Sequence, residues 1–253
     1  MRSRRSLAWL AACLAAATWI PEARAQDDLE KAKQEIIAAM DGLKAQWAKV
    51  QSFTATMKVQ SDLHVSTGIV RTNAIARYEY LKRGESRLFR VETQLATVNY
   101  ASGTDDTAEG HVTMVCDGRH VYTLREQGQE RKVVKESLDA ASVQDAPSVF
   151  EAIKPDYYLT LLPDETLNGQ EVRVLQAKPI DRRVFIYRKL LYFAKDSGLL
   201  VKSLTYDNDD HVVSDETLTD IRLNVDLSPS RFEFTPPPGI PIEDRTAAEA
   251  STP

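Results

Sequence analysis

The sequence predicts an α+β protein built on one large, curved antiparallel sheet. Three observations lead to this prediction. Apolar side chains recur at three- and four-residue steps over one segment near the N-terminus, which is typical of an amphipathic helix. From residue 52 onward the period changes to two, which is typical of strands, and turn residues interrupt it roughly every ten residues without alternating helices. Because a sheet of about ten strands tends to curl, we expect it to wrap around the long helix and a few short ones.

Residues 1–25 have the features of a secretory signal peptide. The segment begins with arginines, continues with an apolar core and ends in the small-residue cleavage site Ala23-Arg24-Ala25. Cleavage there would leave a mature chain that begins at Gln26. An alternative is open, because "LAAC", ending at Cys13, resembles a bacterial lipobox and would leave a lipid anchor on that cysteine. Both routes export the protein, either as a cleaved chain or as one anchored through Cys13.

The chain after residue 25 is acidic and has one cysteine, Cys116. The whole sequence has 32 Lys and Arg and 37 Asp and Glu, and losing four arginines and one glutamate with residues 1–25 moves the net charge from −5 to −8. This charge argues against nucleic acid or an anionic membrane surface as the main partner. A lone cysteine cannot form an intramolecular disulfide. No Gly/Ser/Pro-rich linker divides the chain, so we expect one monomeric domain over residues 26–241 and a disordered tail over 242–253.

The long helix is predicted over residues 27–50. Two aspartates at its start favour the helix dipole. One apolar stripe runs along it, and its members are Leu29, Ile36, Met40, Leu43, Trp47 and Val50. Such a helix must pack on another element, and the sheet is the only large one predicted.

Two meanders of strands follow the helix. The first has alternating strands within residues 52–60, 69–81, 87–98, 111–126 and 127–134, with a hairpin at Asp117-Gly118. A short helix is expected within 145–155, and residues 157–167 suit either a helix or a strand. The second meander has a strand after Asn168-Gly169 and three more within 185–224. A last short strand is predicted at Phe232 to Phe234, ended at a sheet edge by Pro236 to Pro238, which cannot donate to a ladder.

Large apolar side chains recur on the strands in numbers that one helix could not cover. Two interpretations are open: the side chains form an ordinary packed core, or the concave face is partly filled and binds an apolar ligand. The residues predicted to line such a cavity are Phe53, Met57, Tyr78, Tyr80, Phe89, Val91, Leu95, Met114, Tyr122, Phe193 and Leu204.

The stretch "RFEFTPPPGIPIED" resembles the C-terminal signature of the bacterial outer-membrane lipoprotein carriers, the LolA-like family. Three other stretches, "KVQSFTATMKVQ", "YLKRGESRLFRVE" and "VTMVCDGRHVYTL", resemble family segments in the same order. The match covers most of the chain after residue 25. The resemblance implies an eleven-stranded half-barrel closed by helices over a hydrophobic cavity that holds lipoprotein acyl chains. It also implies an inner-membrane extractor and an outer-membrane acceptor as partners.

The resemblance also implies a latch between the strands and the helical lid. Arg83 matches the family arginine that latches the lid. The proline that follows in the family is Gly84 here, and Tyr80 stands where the family usually has tryptophan. The chain is therefore expected to be a divergent member with a looser turn at this point.

No motif predicts catalysis, a cofactor or a metal site. The sequence lacks a nucleophile elbow, a zinc-protease helix and a phosphate loop. His111 and His120 flank the hairpin and would be the only basis for an unrecognised hydrolase. The acidic turn 207–211 lacks the alternating carboxylates of a calcium loop. The sequence favours a non-enzymatic periplasmic carrier of lipoprotein acyl chains or another lipid; the alternative is an envelope sensor or scaffold module of the same fold that binds a protein partner.

Overall fold

The computed structural model describes residues 20–65, 68–99, 106–138, 146–181 and 186–246. Within them the regular elements are helices α1 (Ile20–Trp47) and α2 (Ala146–Ile153), a 3-10 helix at Pro229–Phe232, and the strands β1 (Ser52–Val65), β2 (Gly68–Arg83), β3 (Ser86–Asn99), β4 (Asp106–Cys116), β5 (His120–Gln127), β6 (Glu130–Ser137), β7 (Tyr157–Leu167), β8 (Gln170–Pro179), β9 (Ile186–Ala194), β10 (Leu200–Asp207), β11 (Val212–Leu223) and β12 (Ile242–Asp244).

All twelve strands belong to one sheet, in the order β12-β6-β5-β4-β3-β2-β1-β11-β10-β9-β8-β7. The predicted α+β class, with one large antiparallel sheet and few helices, is confirmed. The two meanders join where β1 pairs with β11, with Phe53 opposite Leu223. Every pair is antiparallel except β12 with β6. Bulges near Ala55, Val201 and Pro163 bend the sheet, since an extra residue on one strand increases local twist.

Helix α1 begins earlier than predicted and is buried over only part of its length. It starts at Ile20, inside the predicted signal peptide, whose residues 1–19 lie outside the described ones. The apolar stripe is buried from Ala39 onward, whereas Leu29 is 58% exposed, so its predicted place in the stripe's buried surface is wrong. The sheet packs against the C-terminal half of the helix, where Met40, Leu43 and Trp47 contact buried strand residues.

The core has two parts that meet at α1. We call the face of the sheet that carries α1 the inner face. One part is aromatic and joins Trp47 to side chains of β1, β2 and β3. The other joins Met40 and Leu43 to α2 and to four buried residues of the second meander, Leu175, Leu191, Phe193 and Leu200. The C-terminal half of α1 therefore ties both meanders together.

Residues 224–241, which we call the strap, cross the opposite, outer face. The backbone N–H of Gln51 donates to Asn224 Oδ1 at 2.8 Å where the strap begins. Farther along, the ring of Phe234 stacks on Tyr122 at a centroid distance of 5.0 Å. The predicted strand at Phe232 to Phe234 is wrong: Phe232 ends the 3-10 helix and is buried with 1% exposure. The two rings anchor the strap to the outer face and take no part in a ladder.

The predicted disorder of the tail is wrong for its first residues. Ile242–Asp244 form β12, which pairs in parallel with β6 and covers that edge of the sheet. Ion pairs hold it there: Lys132 to Glu243 at 2.6 Å and Lys135 to Asp244 at 2.9 Å. Residues 247–253 lie outside the described part. The prolines therefore end the strap, and the edge is capped by the strand that follows them.

Candidate functional site

The predicted cavity residues fall into three groups. Phe53, Tyr78, Tyr80 and Phe89 form a closed aromatic layer at the end of the inner face where α1 ends. Ring centroids lie 5.1 Å apart for Phe53 and Tyr78, and 5.1 Å apart for Trp47 and Tyr80. None of the four is more than 4% exposed. They are core residues here, because stacking of rings in register on neighbouring strands fills the space. Their predicted part in a lipid-binding cavity stays a prediction.

The second group lies farther along the same strands, where the inner face opens. Met57, Val91 and Met114 are partly buried and pack against the edge of the aromatic layer. Leu95 lies opposite Ala74, which lies opposite Val59, so these residues continue the same face. All are partly exposed. We call this surface the apolar wall, and it consists of Met57, Val59, Ala74, Val91, Leu95 and Met114.

The third group does not lie on the apolar wall. Tyr122 faces outward, since it lies opposite Val115, in the row of Arg90 and Glu79. Leu204 lies opposite Asp215, in the row of Gln60, and therefore also faces outward. Phe193 is fully buried in the helix-covered part of the core. Register and helix packing therefore place these three side chains away from the apolar wall, and their part in lipid binding stays a prediction.

Arg83 stands at the tip of the β2–β3 turn. Its side chain is exposed, and Gly84 beside it has φ of 62°. Within the described ranges no hydrogen bond or ion pair joins Arg83 to a helix. Its role as a latch stays a prediction.

Facing the apolar wall across the inner face is a second, polar surface on β9, β10 and β11. Glu216 lies opposite Val59 on one side and Ser203 on the other. In the next row, Thr205 lies opposite Lys189. We call Glu216, Lys189, Ser203 and Thr205 the polar wall. Sequence reasoning missed it, although Lys189 is in phase with the buried Leu191 and Phe193, and a charge in phase with buried apolar positions is the signal that could have revealed it.

Burial shapes the electrostatics of the polar wall. Desolvation raises the pKa of Glu216, the charge of Lys189 acts in the opposite direction, and Asp215 adds to the rise. The two walls meet at a small cavity of about 10 Å³ between Met57, Val201, Glu216 and Leu218. That space fits about one water molecule, so the two walls are in close contact here.

A buried ion pair joins the outer face to the strap. Glu79 alternates with Tyr78 and Tyr80, so it faces outward, yet its side chain is only 2% exposed. Arg231 donates to both of its carboxylate oxygens, at 2.8 Å from Nε and 2.6 Å from Nη2. Burial raises the pKa of Glu79, but the hydrogen bonds and charge of Arg231, with Arg77 and Arg90, outweigh it and leave the pKa lowered. Nothing in the alternating pattern of β2 indicates this partner.

The histidines do not form a catalytic pair. His111 lies opposite Glu126 and His120 opposite Ser137, so the two are separated along the hairpin. Asp207, Asp209 and His211 come within 4.8 Å of one another. The Asp207 carboxylate there accepts the backbone N–H groups of Asp209 and His211, both at 2.9 Å, so it closes the turn.

Two shallow depressions lie on the outer face of β2 to β5. Their volumes are about 410 Å³ and 310 Å³, and they adjoin at Ile75, Gln94 and His111. Ile75 is 57% exposed, and charged or amide side chains surround it. This surface is polar, in contrast to the apolar wall on the other side of the same strands.

Comparison with known proteins gives a family match and several structures of the same fold. Residues 110–235 match the family model of the MucB/RseB N-terminal domain. No curated protein matches the chain. An uncharacterized conserved protein from Thermus thermophilus is 13% identical with a TM-score of 0.51, over 83% of this chain and 99% of that one. At this identity the likeness is one of fold.

Two further structures are more distant. MucB in the MucA/MucB complex of Pseudomonas aeruginosa is 14% identical with a TM-score of 0.45, and the match covers 78% of this chain and 61% of that one. The LolA superfamily protein NE2245 of Nitrosomonas europaea is 16% identical with a TM-score of 0.29, over 78% and 96% of the two chains.

Among the described residues, neither helix has both the length and the apolar character needed to cross a bilayer. The fold that the sequence resemblance implies is confirmed, since the chain forms one large sheet with few helices, and residues 110–235 match the MucB/RseB N-terminal domain.

Proposed function

We propose that the protein is a non-catalytic lipid-binding module whose apolar wall binds acyl chains. The observation that carries the proposal is the division of the inner face. Its closed end is filled by stacked rings, whereas the six residues of the apolar wall are only partly buried by the described residues. Each acyl CH₂ that the wall removes from water contributes about 0.8 kcal/mol. A 16-carbon chain would gain about 12 kcal/mol if fully buried, so partial cover suits a carrier that must also release.

The proposal includes export and a carrier's partners. The protein would be periplasmic, would act as a monomer and would exchange lipoprotein acyl chains or another lipid between a membrane extractor and an acceptor. Intact mass of the protein isolated from its native envelope tests the export step. A chain that begins at Gln26 supports cleavage after Ala25, and a lipid-modified chain that begins at Cys13 supports the anchored form.

Lipid binding is tested with a matched pair of variants on opposite faces. Leu95 lies on the apolar wall, whereas Ile75 lies opposite Gln94 on the outer face. We expect Leu95→Lys to weaken binding of a pyrene-labelled 16-carbon fatty acid by about tenfold or more, because an unpaired charge would be buried with the chain. Ile75→Lys should leave binding unchanged. Equal binding by the two variants would contradict the proposal.

A second candidate, a sensor or scaffold module that binds a protein partner, is favoured by the family match over residues 110–235 and by the exposed outer face around Ile75. MucB is described in complex with MucA. Under this alternative, Ile75→Lys would weaken partner capture and Leu95→Lys would not. The same two variants therefore separate the candidates.

A further inference from the structure

The polar wall contains two opposite charges that form no hydrogen bond or ion pair within the described part of the chain. Lys189 and Glu216 both face inward, and neither forms an ion pair or a hydrogen bond with a described residue; Lys189 lies 6.0 Å from the ring of Tyr157. On the outer face of the same strands, Lys202 and Asp215 pair at 3.0 Å. The outward charges Lys202 and Asp215 thus form an ion pair, whereas the inward charges Lys189 and Glu216 do not.

The positions of the two charges are set by strand register. Glu216 is on β11 and Lys189 on β9, two strands away and one inward-facing row along, so their Cα atoms are separated by about 12 Å from ordinary strand spacings. The hydroxyls of Ser203 and Thr205 lie between them on β10. A ligand that spans the gap would meet a carboxylate, two hydroxyls and an ammonium in that order.

We infer that the polar wall binds the head group of a phospholipid that carries a phosphate and a primary amine, with its acyl chains on the apolar wall. This inference rests on the proposed function. The Lys189 ammonium would donate to the phosphate, and the Glu216 carboxylate would accept from the amine, so both unpaired charges would gain hydrogen bonds. Burial disfavours the charged form of Glu216, and a bound ammonium removes that cost.

The experiment compares head groups that share the same chains. Phosphatidylcholine vesicles carry 10 mol% of dioleoyl phosphatidylethanolamine, dioleoyl phosphatidylglycerol or dioleoylglycerol, and lipid bound to the protein is quantified by mass spectrometry after the vesicles are removed. We expect phosphatidylethanolamine to bind about tenfold better than the other two, in line with charge-assisted hydrogen bonds. Glu216→Gln and Lys189→Gln should each remove that preference and leave dioleoylglycerol binding unchanged.

Asp215→Asn is the matched control, because Asp215 is next to Glu216 but faces outward; it should keep the preference. Circular dichroism melts check that each variant folds. Equal binding of the three lipids by the unmodified protein overturns the head-group site and leaves acyl binding intact, whereas no binding of any of them overturns both proposals. Soluble O-phosphoethanolamine at the same concentration should not displace the lipid; displacement would overturn the assignment to a phospholipid.

Discussion

The Glu79 carboxylate holds the strap against the outer face of β2. Its two hydrogen bonds from Arg231 are charge-assisted, and Arg77 adds a contact at 3.1 Å. Because Glu79 is buried, removing its main partner leaves a desolvated charge, and that loss exceeds what the pair contributes as an attraction. The strap therefore depends on one side chain of the 3-10 helix.

Arg231→Met should lower the free energy of unfolding by about 2 kcal/mol, a figure reduced from that of a fully buried pair because Arg231 is 44% exposed. Urea unfolding measures the change. The control is Arg131→Met, which breaks an exposed ion pair with Glu126 and should cost less than about 1 kcal/mol. Equal losses of unfolding free energy in the two variants would show that the Glu79–Arg231 pair contributes no more than an exposed ion pair.

The same pair predicts a pH dependence. The folded state lowers the pKa of Glu79, so the stability it contributes is present above the unfolded glutamate pKa of about 4.3 and is lost as pH falls through the lowered value. The stability difference between the unmodified protein and Arg231→Met should therefore shrink as pH falls from 7 to 3. Urea midpoints over this range check it, and a difference independent of pH would count against the assignment to Glu79.

Individual residues show which side-chain positions alternation could predict and which it could not. Alternation in β1 and β2 correctly grouped Phe53 with Met57 and Tyr78 with Tyr80, because one strand decides which of its own side chains share a face. It could not separate buried Phe53 from partly exposed Met57, since that depends on where α1 ends. It also could not place Tyr122 and Leu204, whose faces depend on register with distant strands.

At the scale of elements, the contact between α1 and the turn after β9 requires a glycine. Gly198 has φ of 70°, and a Cβ there would lie 2.3 Å from the carbonyl oxygen of Leu43 and 3.2 Å from Cβ of Trp47. The turn therefore lies directly against the C-terminal half of the helix. This contact fixes the helix over both parts of the core.

Gly198→Ala should cost about 3 kcal/mol, because a positive φ and a backbone overlap act together. Gly84→Ala is the matched control: Gly84 has φ of 62° but nothing within 4 Å of the added Cβ, so only the conformational cost of about 1 kcal/mol remains. Thermal or urea unfolding distinguishes the two. Similar losses would mean that the helix can move away from the turn without cost.

The charges of Glu243 and Asp244 should help to hold β12 on the β6 edge and so protect the β6 amides from exchange. Glu243→Lys with Asp244→Lys removes the ion pairs to Lys132 and Lys135. We expect faster hydrogen exchange of the β6 amides with little loss of global stability, since exposed pairs contribute little. Glu233→Lys, in the exposed part of the strap, is the control and should leave β6 exchange unchanged. Unaltered exchange in the double variant would contradict the role of these charges.

Elements were predicted correctly where neighbouring residues define them, and wrongly where their conformation depends on packing against a surface that is distant in sequence. The strands after Asn168-Gly169 and around Asp117-Gly118 follow from turn chemistry, and the structure has them. The Phe232 to Phe234 stretch also alternates, but its rings lie on an outer face that only the assembled sheet provides. Ile242–Asp244 looked like a polar tail because a strand of three residues has no period of its own.

In the whole molecule, the same strands present two different surfaces, one on each face of the sheet. The inner face has a closed aromatic end and an open end between the apolar and polar walls, while the outer face has the strap and the depressions around Ile75. Length, the change of period and the absence of alternating helices were enough to predict the curved sheet. Only the Lys189 end of the polar wall left a signal in the sequence, because the alignment of Lys189 with Glu216 depends on the pairing of β9, β10 and β11.

That meeting of β1 with β11 also sets the order of events during synthesis. The contact of Phe53 with Leu223 and the ion pair of Glu79 with Arg231 can form only after residues 223 and 231 have been synthesised. A nascent chain that leaves the ribosome N-terminus first therefore carries an unsatisfied strand edge until most of it has been translated. Premature termination anywhere before β11 would yield a fragment with that edge open and prone to aggregate, rather than a smaller working protein.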